Sequence, residues 1–511
     1  MKEKKSKKKL IIIGLILIII IAIVVAVIFI TGNNNVKGDD SKTNTVTPEI
    51  KDSAYRLSGN SLEDFDLHFL QLENEKVNKI YSPLSIKYAL AMLNEGASGN
   101  TKAQIQSVIG DYEGKKYTNS ENMSFANAIF VRNSFKNSIN VDYTDRLATK
   151  YNADVIFDSF ENADNLNSWV SDKTLGLIDD LFDDVSGLDF TLVNALAIDM
   201  EWNKLIQATV DNYKDRYSVS YAHENFSAYV PLIEADDYSS VDFDNNTMKA
   251  KAVEIGAAVN NYDIISKLGE DNIRTTVKAE YEKWLAEGGC GNDPDPDTYI
   301  DTYIEELDSN YKKVDTSTDF LFYDDENVKA FAKDLKEYDG TTLQYIGIMP
   351  KNVSLDSYID DINADKVNAI INNLKDIKAE NFKEGVITKI TGYIPLFKFD
   401  YELDLMNDLK ELGITDVFDA SKAELQDIAE GAVISKASHK ANIEFSNEGI
   451  KAAAATQMGG FGSASCEFVY NYDVPVETID LTFDSPYLFI IRDKDSSEVW
   501  FTGTVYEPLS E

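Results

Sequence analysis

Imidazole is scarce in this chain, whose 511 residues include only three histidines, His68, His223 and His439. Hydrolytic triads draw on imidazole as a base, so each of the three has to be tested before catalysis is considered. The stretch HENFS at His223 has no second histidine four positions on, which excludes a zinc-protease helix. Cysteine is rarer still, at Cys290 and Cys466, and one bridge or two free thiols are equally open, so no function is built on them. Positive charge is also in short supply, with 49 Lys and Arg against 87 Asp and Glu and a net charge of −38. The opening MKEKKSKKK holds six lysines and one glutamate, so residues 10–511 carry five more negative charges, −43. Such a surface repels phosphate backbones and excludes nucleic acid as a partner.

Site patterns that look chemical fail on inspection. DPDPDTYIDTYIEE spaces Asp293, Asp295 and Asp297 as calcium ligands, yet Thr298 stands where the loop needs glycine and Ile304 where it needs glutamate, and two prolines stiffen it. Gly459, Gly460 and Gly462 imitate a phosphate loop, but no helix N-terminus follows to receive the anion. No enzyme, metal or other cofactor emerges.

What the chain does have begins with Leu10–Ile30, 21 residues without a charge, long enough at about 1.5 Å per residue to cross a hydrocarbon core of about 30 Å. A cleaved signal peptide is the competing reading, but its apolar region is usually shorter and ends in a small-x-small site that is not found here. No cysteine follows the run, which excludes a lipoprotein. Residues 1–9 are therefore expected in the cytoplasm, 10–30 in a single-pass signal anchor, 31–55 as a polar tether and 56–511 outside the membrane. Within that last part, NSLEDFDLHFLQLENE and SPLSIKYALAMLNEGASGN carry helical apolar spacing. NMSFANAIFVRN, DFTLVNALAIDMEW, LQYIGIMP, VITKITGYIPLFKF and YLFIIRD read as strands. From about 236 to 316 acidic helical segments interrupt the pattern as an insertion. Early helices and late strands without steady βαβ alternation indicate an α+β fold.

Five ordered stretches then resemble the serpin family: NKIYSPLSIKYALAMLNEGASGNT, LVNALAIDMEW, YIPLFKFDYELDLMNDLKELGITDVFD, HKANIEFSNEGIKAAAAT, and the closing pair FDSPYLFIIRD and FTGTVYEP. The resemblance implies three β-sheets ringed by helices and an exposed reactive-centre loop. On that resemblance a serine protease is expected to cut the loop as a substrate, and the loop then to enter the main sheet as a strand while the acyl-enzyme is trapped. It also implies a hinge at Glu448, Gly449, Ile450, Ala452, Ala454 and Thr456, a sheet-opening network of Ser82, Ser85, Asn194 and His439, and a gate at Trp202 where the strand enters. Counting from the hinge glycine places the reactive bond at Ser463–Ala464, with Phe461, Gly462, Cys466 and Phe468 as alternatives because the loop is longer than usual. Small residues there suit an elastase-like or subtilisin-like protease, and Phe461 a chymotrypsin-like one. Ile450 replaces the family's usual threonine or serine, and Tyr487 its usual phenylalanine.

The loop can be judged on its own residues. As a strand it would place Ile450, Ala452, Ala454, Thr456, Met458 and Gly460 on one face, all small or apolar, and Lys451 on the other with Ala453, Ala455, Gln457, Gly459 and Phe461. An unpaired lysine on the crowded face would cost several kcal/mol and stall insertion. The expectation is a monomeric inhibitor of serine proteases displayed outside a membrane. The alternative is a non-inhibitory binding or structural protein of the same fold.

Overall fold

The computed structural model describes residues 62–203, 239–260, 264–288, 296–310, 320–446, 449–450 and 475–511. The apolar run 10–30, its basic flank, the tether, His223 and both cysteines lie outside them.

Helices come first. α1 (Asp64–Leu72) opens with reciprocal bonds between Glu63 and Asp66, and β1 (Lys79–Tyr81) follows. α2 (Pro83–Glu95) starts on the Ser82 cap with proline in its first turn and stops at Gly96. After α3 (Gly99–Ile109) come β2 (Met123–Arg132), α4 (Val141–Tyr151), β3 (Ala153–Asp158), α5 (Asp164–Lys173), β4 (Phe190–Ile198) and β5 (Met200–Glu201). β6 (Ser239–Phe243) and β7 (Met248–Asn260) precede three helices, α6 (Ile264–Leu268), α7 (Glu270–Ala286) and α8 (Pro296–Asn310). The second half carries β8 (Phe320–Asp324), β9 (Val328–Asp334), β10 (Leu343–Pro350), α9 (Leu355–Asp361), α10 (Ala364–Asn372) and β11 (Lys375–Asp376). Then come β12 (Ile387–Pro395), β13 (Phe397–Asp404), α11 (Leu405–Glu411), β14 (Ser438–Phe445), β15 (Gly449–Ile450), β16 (Val476–Asp480), β17 (Tyr487–Asp493) and β18 (Val499–Val505).

The described strands form four hydrogen-bonded ladders, two of which run into each other, leaving three sheets among the described residues. One runs β1-β18-β17-β10-β9-β8-β11 and another β16-β12-β7-β6. The remaining ladders, β3-β2-β4 and β13-β14-β15-β5, share the strand that passes through Asp199 from β4 into β5, and together make the main sheet. α2 packs against both β4 and β18 and so joins the main sheet to the long one. The core between them is apolar, and Ile490, Ile491, Val499 and Trp500 are fully buried.

The acidic insertion is narrower than its composition suggests. Ser239–Asn260 is a hairpin of two strands that pairs through β7 with β12, so only the helical part of 236–316 stands apart. Its carboxylates hide a strand alternation because they fall on wetter positions of β6 and its turn, with Asp242 exposed and Asp244 partly exposed on either side of the buried Phe243. α6, α7 and α8 pack on one another, with Ile273, Val277, Tyr281, Ile300 and Ile304 buried and the Tyr281 and Tyr299 rings stacked 4.7 Å apart.

Candidate functional site

Two central strands of the main sheet, β4 and β14, flank a cavity of about 50 Å³. Ser82 and Ser85 at the start of α2, Asn194 of β4 and His439 of β14 line it, with Thr174, Phe182 and Phe501 among the other walls. The four residues singled out as a sheet-opening network thus share one cavity. Their bonding is specific. The Ser82 hydroxyl accepts from the Ser85 amide at 3.1 Å, and the Ser82 amide donates to His439 Nε2 at 2.9 Å. That bond needs an unprotonated Nε2, so His439 is the neutral tautomer with its proton on Nδ1. Burial agrees, lowering its pKa from 6.5 to about 4.

Asn194 takes a different partner, since its amide nitrogen donates to Asn127 Oδ1 at 2.7 Å and Asn127 in turn donates to the Tyr151 carbonyl at 2.9 Å. Asn127 was not singled out in the sequence. The signal was there, a lone amide in the otherwise buried apolar strand MSFANAIFVR. Ser85 Oγ and Asn194 Oδ1, both on residues that line the cavity, are buried without a hydrogen-bond partner among the described residues.

At the other end of the same gap lies the hinge. β15 is only two residues long, but it pairs antiparallel on both sides: Ile450 opposite Phe445 of β14, and Gly449 and Ile450 opposite Glu201 and Met200 of β5. Trp202 packs beside this position, directly after β5, where it bridges to Leu335. Its indole N–H donates to the Ser446 carbonyl at 3.0 Å, and its ring meets Phe445 and Tyr345 edge-on at 5.4 and 6.1 Å. Burial of an aromatic with its one polar atom satisfied fits a fixed clamp on the strand-to-loop exit. Glu448, Ala452, Ala454, Thr456 and the reactive-bond candidates Phe461, Gly462, Ser463, Ala464, Cys466 and Phe468 lie outside the described residues.

The other histidine tested as a base, His68, is buried on α1 with its ring edge-on to Phe69 at 5.6 Å, and burial lowers its pKa to about 4. It is a core side chain.

A family model described as serpin (serine protease inhibitor) matches residues 63–256 and 310–508. The chain is a serpin. Among curated relatives of this serpin, mouse neuroserpin is 26% identical over 457 residues, covering 85% of this chain and 87% of the relative. Human serpin B3 is 25% identical, covering 87% and 97%. Among solved structures, the thermophilic serpin tengpin in its native state aligns with a TM-score of 0.56 at 21% identity, over 92% of this chain and 97% of that one. Thyroxine-binding globulin in complex with thyroxine aligns at 0.57 and 17%, over 89% and 98%. The family match leaves out residues 257–309, which hold α6, α7 and all of α8 but its last residue.

Proposed function

We propose that this serpin is a suicide-substrate inhibitor of a serine protease. The protease serine attacks the carbonyl at the reactive bond, the amine side leaves with a proton, and the loop enters the main sheet while the ester is intact. One observation carries the reading: Ile450 already pairs with Phe445 of β14 and with Met200 of β5, and Gly449 with Glu201 of β5, so a strand between β14 and β5 is begun and its register follows. Continued residue by residue, that register brings Ala452 between Ile443 and Ile198, Ala454 between Ala441 and Leu196, and Thr456 between His439 and Asn194. Small side chains then meet buried neighbours, and a hydroxyl reaches the cavity where Ser85 Oγ and Asn194 Oδ1 have no hydrogen-bond partner among the described residues.

The protein acts as a monomer on an elastase-like, subtilisin-like or chymotrypsin-like protease, cut at Ser463–Ala464, and is held outside a membrane by Leu10–Ile30. No helix among the described residues is long and apolar enough to cross a membrane, and that run lies outside them. Incubation with elastase, subtilisin and chymotrypsin should give an SDS-resistant complex with at least one, and mass spectrometry of the released peptide locates the cut. Clean cleavage by all three, with no rise in the melting temperature of the clipped protein, would instead identify a non-inhibitory binding protein of this fold. Carbonate extraction of membranes from expressing cells tests the anchor, which predicts that the protein stays in the pellet.

A further inference from the structure

The corner between β13 and β14 carries a buried acid that neither the cavity nor the loop uses. We propose that Asp408 of α11 is a proton-operated brace: with its carboxyl protonated the corner is steady, and its ionisation loosens the same corner from which His439 reaches the cavity.

The chain puts both groups on one joint. Leu403, near the end of β13, stands opposite His439 of β14, and the Leu405 amide donates to the Ala437 carbonyl at 3.1 Å, two residues before His439. Leu405 also lines the cavity. Asp408 lies one turn further along α11, buried, with Oδ2 lacking a hydrogen-bond partner among the described residues. Its surroundings are acidic. Asp404 caps the helix four residues earlier, accepting from the Met406 amide at 3.0 Å, and Glu411 follows three residues later, so both share its side of the helix. From the end of α1 comes Glu73, whose carboxylate accepts from the Tyr401 hydroxyl of β13. The bases of the adjoining elements are engaged elsewhere. Lys79 of β1 lies 3.9 Å from Glu75, Lys410 of α11 sits over the Phe418 ring, and Lys440 of β14 donates to the Asp180 carbonyl.

An ionised Asp408 is therefore desolvated beside three like charges, and a proton removes the conflict. Burial first, then Glu73, Asp404 and Glu411, raise its pKa from 3.8 to about 6. Between those values the folded corner keeps a proton that the unfolded chain has released, so the support from Asp408 is complete below pH 3.8 and is lost as pH rises through 6. His439 runs the other way, because burial keeps it neutral and acid charges it more readily once exposed. Acid that disfavours the Ser82–His439 bond thus steadies the helix beside it.

Urea unfolding of the full chain at pH 7.5 and 4 tests the brace, with Asp408→Asn as a permanently uncharged reference. The unfolding constant of wild type relative to Asp408→Asn should fall roughly fiftyfold from pH 7.5 to 4, the span set by the two pKa values. Glu73→Gln removes one repelling charge and should give a smaller fall of the same sign. His439→Gln, compared with wild type in the same way, should move in the opposite direction. At pH 5 the infrared band of protonated carboxyl groups should lose one group's intensity in Asp408→Asn. A ratio for Asp408→Asn that does not change with pH, or a band that the substitution leaves intact, would overturn the proposal.

Discussion

Acid should open this protein at His439. The imidazole accepts the Ser82 amide through Nε2, and protonation would turn that acceptor into a donor facing another donor. Burial holds the pKa at about 4 against 6.5 for an unhindered histidine, so the group is neutral when folded and charges more readily when exposed. The sign follows directly. Above pH 6.5 both states carry neutral histidine and stability is complete. Between 6.5 and 4 only the unfolded or opened state takes the proton, and the fold loses about 1.4 kcal/mol per pH unit, about 3.5 kcal/mol in all. Below pH 4 the loss levels off. For a marginally stable domain that is a large share of the total. Urea unfolding at steps from pH 7.5 to 4 measures it, with His439→Gln as reference, because the glutamine oxygen can still accept from Ser82 without titrating. The difference between the two proteins should fall steadily through the window. A constant difference would refute the assignment of Nε2 as a buried acceptor.

Other substitutions probe the neighbourhood. Trp202→Phe removes the donor to the Ser446 carbonyl and should cost about 1 kcal/mol for the bond alone, visible as a lowered melting temperature of the intact protein. Asp66 and Glu498 are both buried near one ammonium, Lys87, which lies 2.6 Å from Asp66, while Tyr112 and Tyr117 donate to Glu498. Desolvation raises both carboxyl pKa values, against the lowering effect of Lys87, so the folded state binds protons more readily and this cluster weakens the fold as pH rises through the folded pKa. Glu498→Gln should therefore melt higher than wild type at pH 7.5, by on the order of 1 kcal/mol, with the gap closing towards pH 4; a gap that widens in acid contradicts this. Gly503 of β18 leaves no room for a methyl group, which would overlap the Lys79 carbonyl and the Phe489 ring, so Gly503→Ala should destabilise by about 2 to 4 kcal/mol in denaturant titration.

The long elements were legible because their local signals agreed. Ser82-Pro83 is a helix start with a physical cause, Gly96 ends the same helix, and the apolar runs at 123–132 and 487–493 could hardly be anything but buried strands. Ser239–Asn260 was hidden among acids since one face of its hairpin is wet, and composition averaged over a window cannot separate two faces. The four cavity residues were legible through a resemblance rather than through their own chemistry. Taken singly they are two serines at a helix start, a strand amide and a histidine, and it is the fold that gathers positions 82, 85, 194 and 439. The Asn194–Asn127 bond and the Trp202–Ser446 clamp depend on cross-strand and loop geometry, which no spacing along the chain encodes.

The described helices between β7 and β8 have a consequence for variation. Their buried side chains include Ile273, Val277, Tyr281, Ile300 and Ile304, and the three helices pack on one another. A unit with an interior of its own can change its outer face while the sheet beside it keeps its own packing.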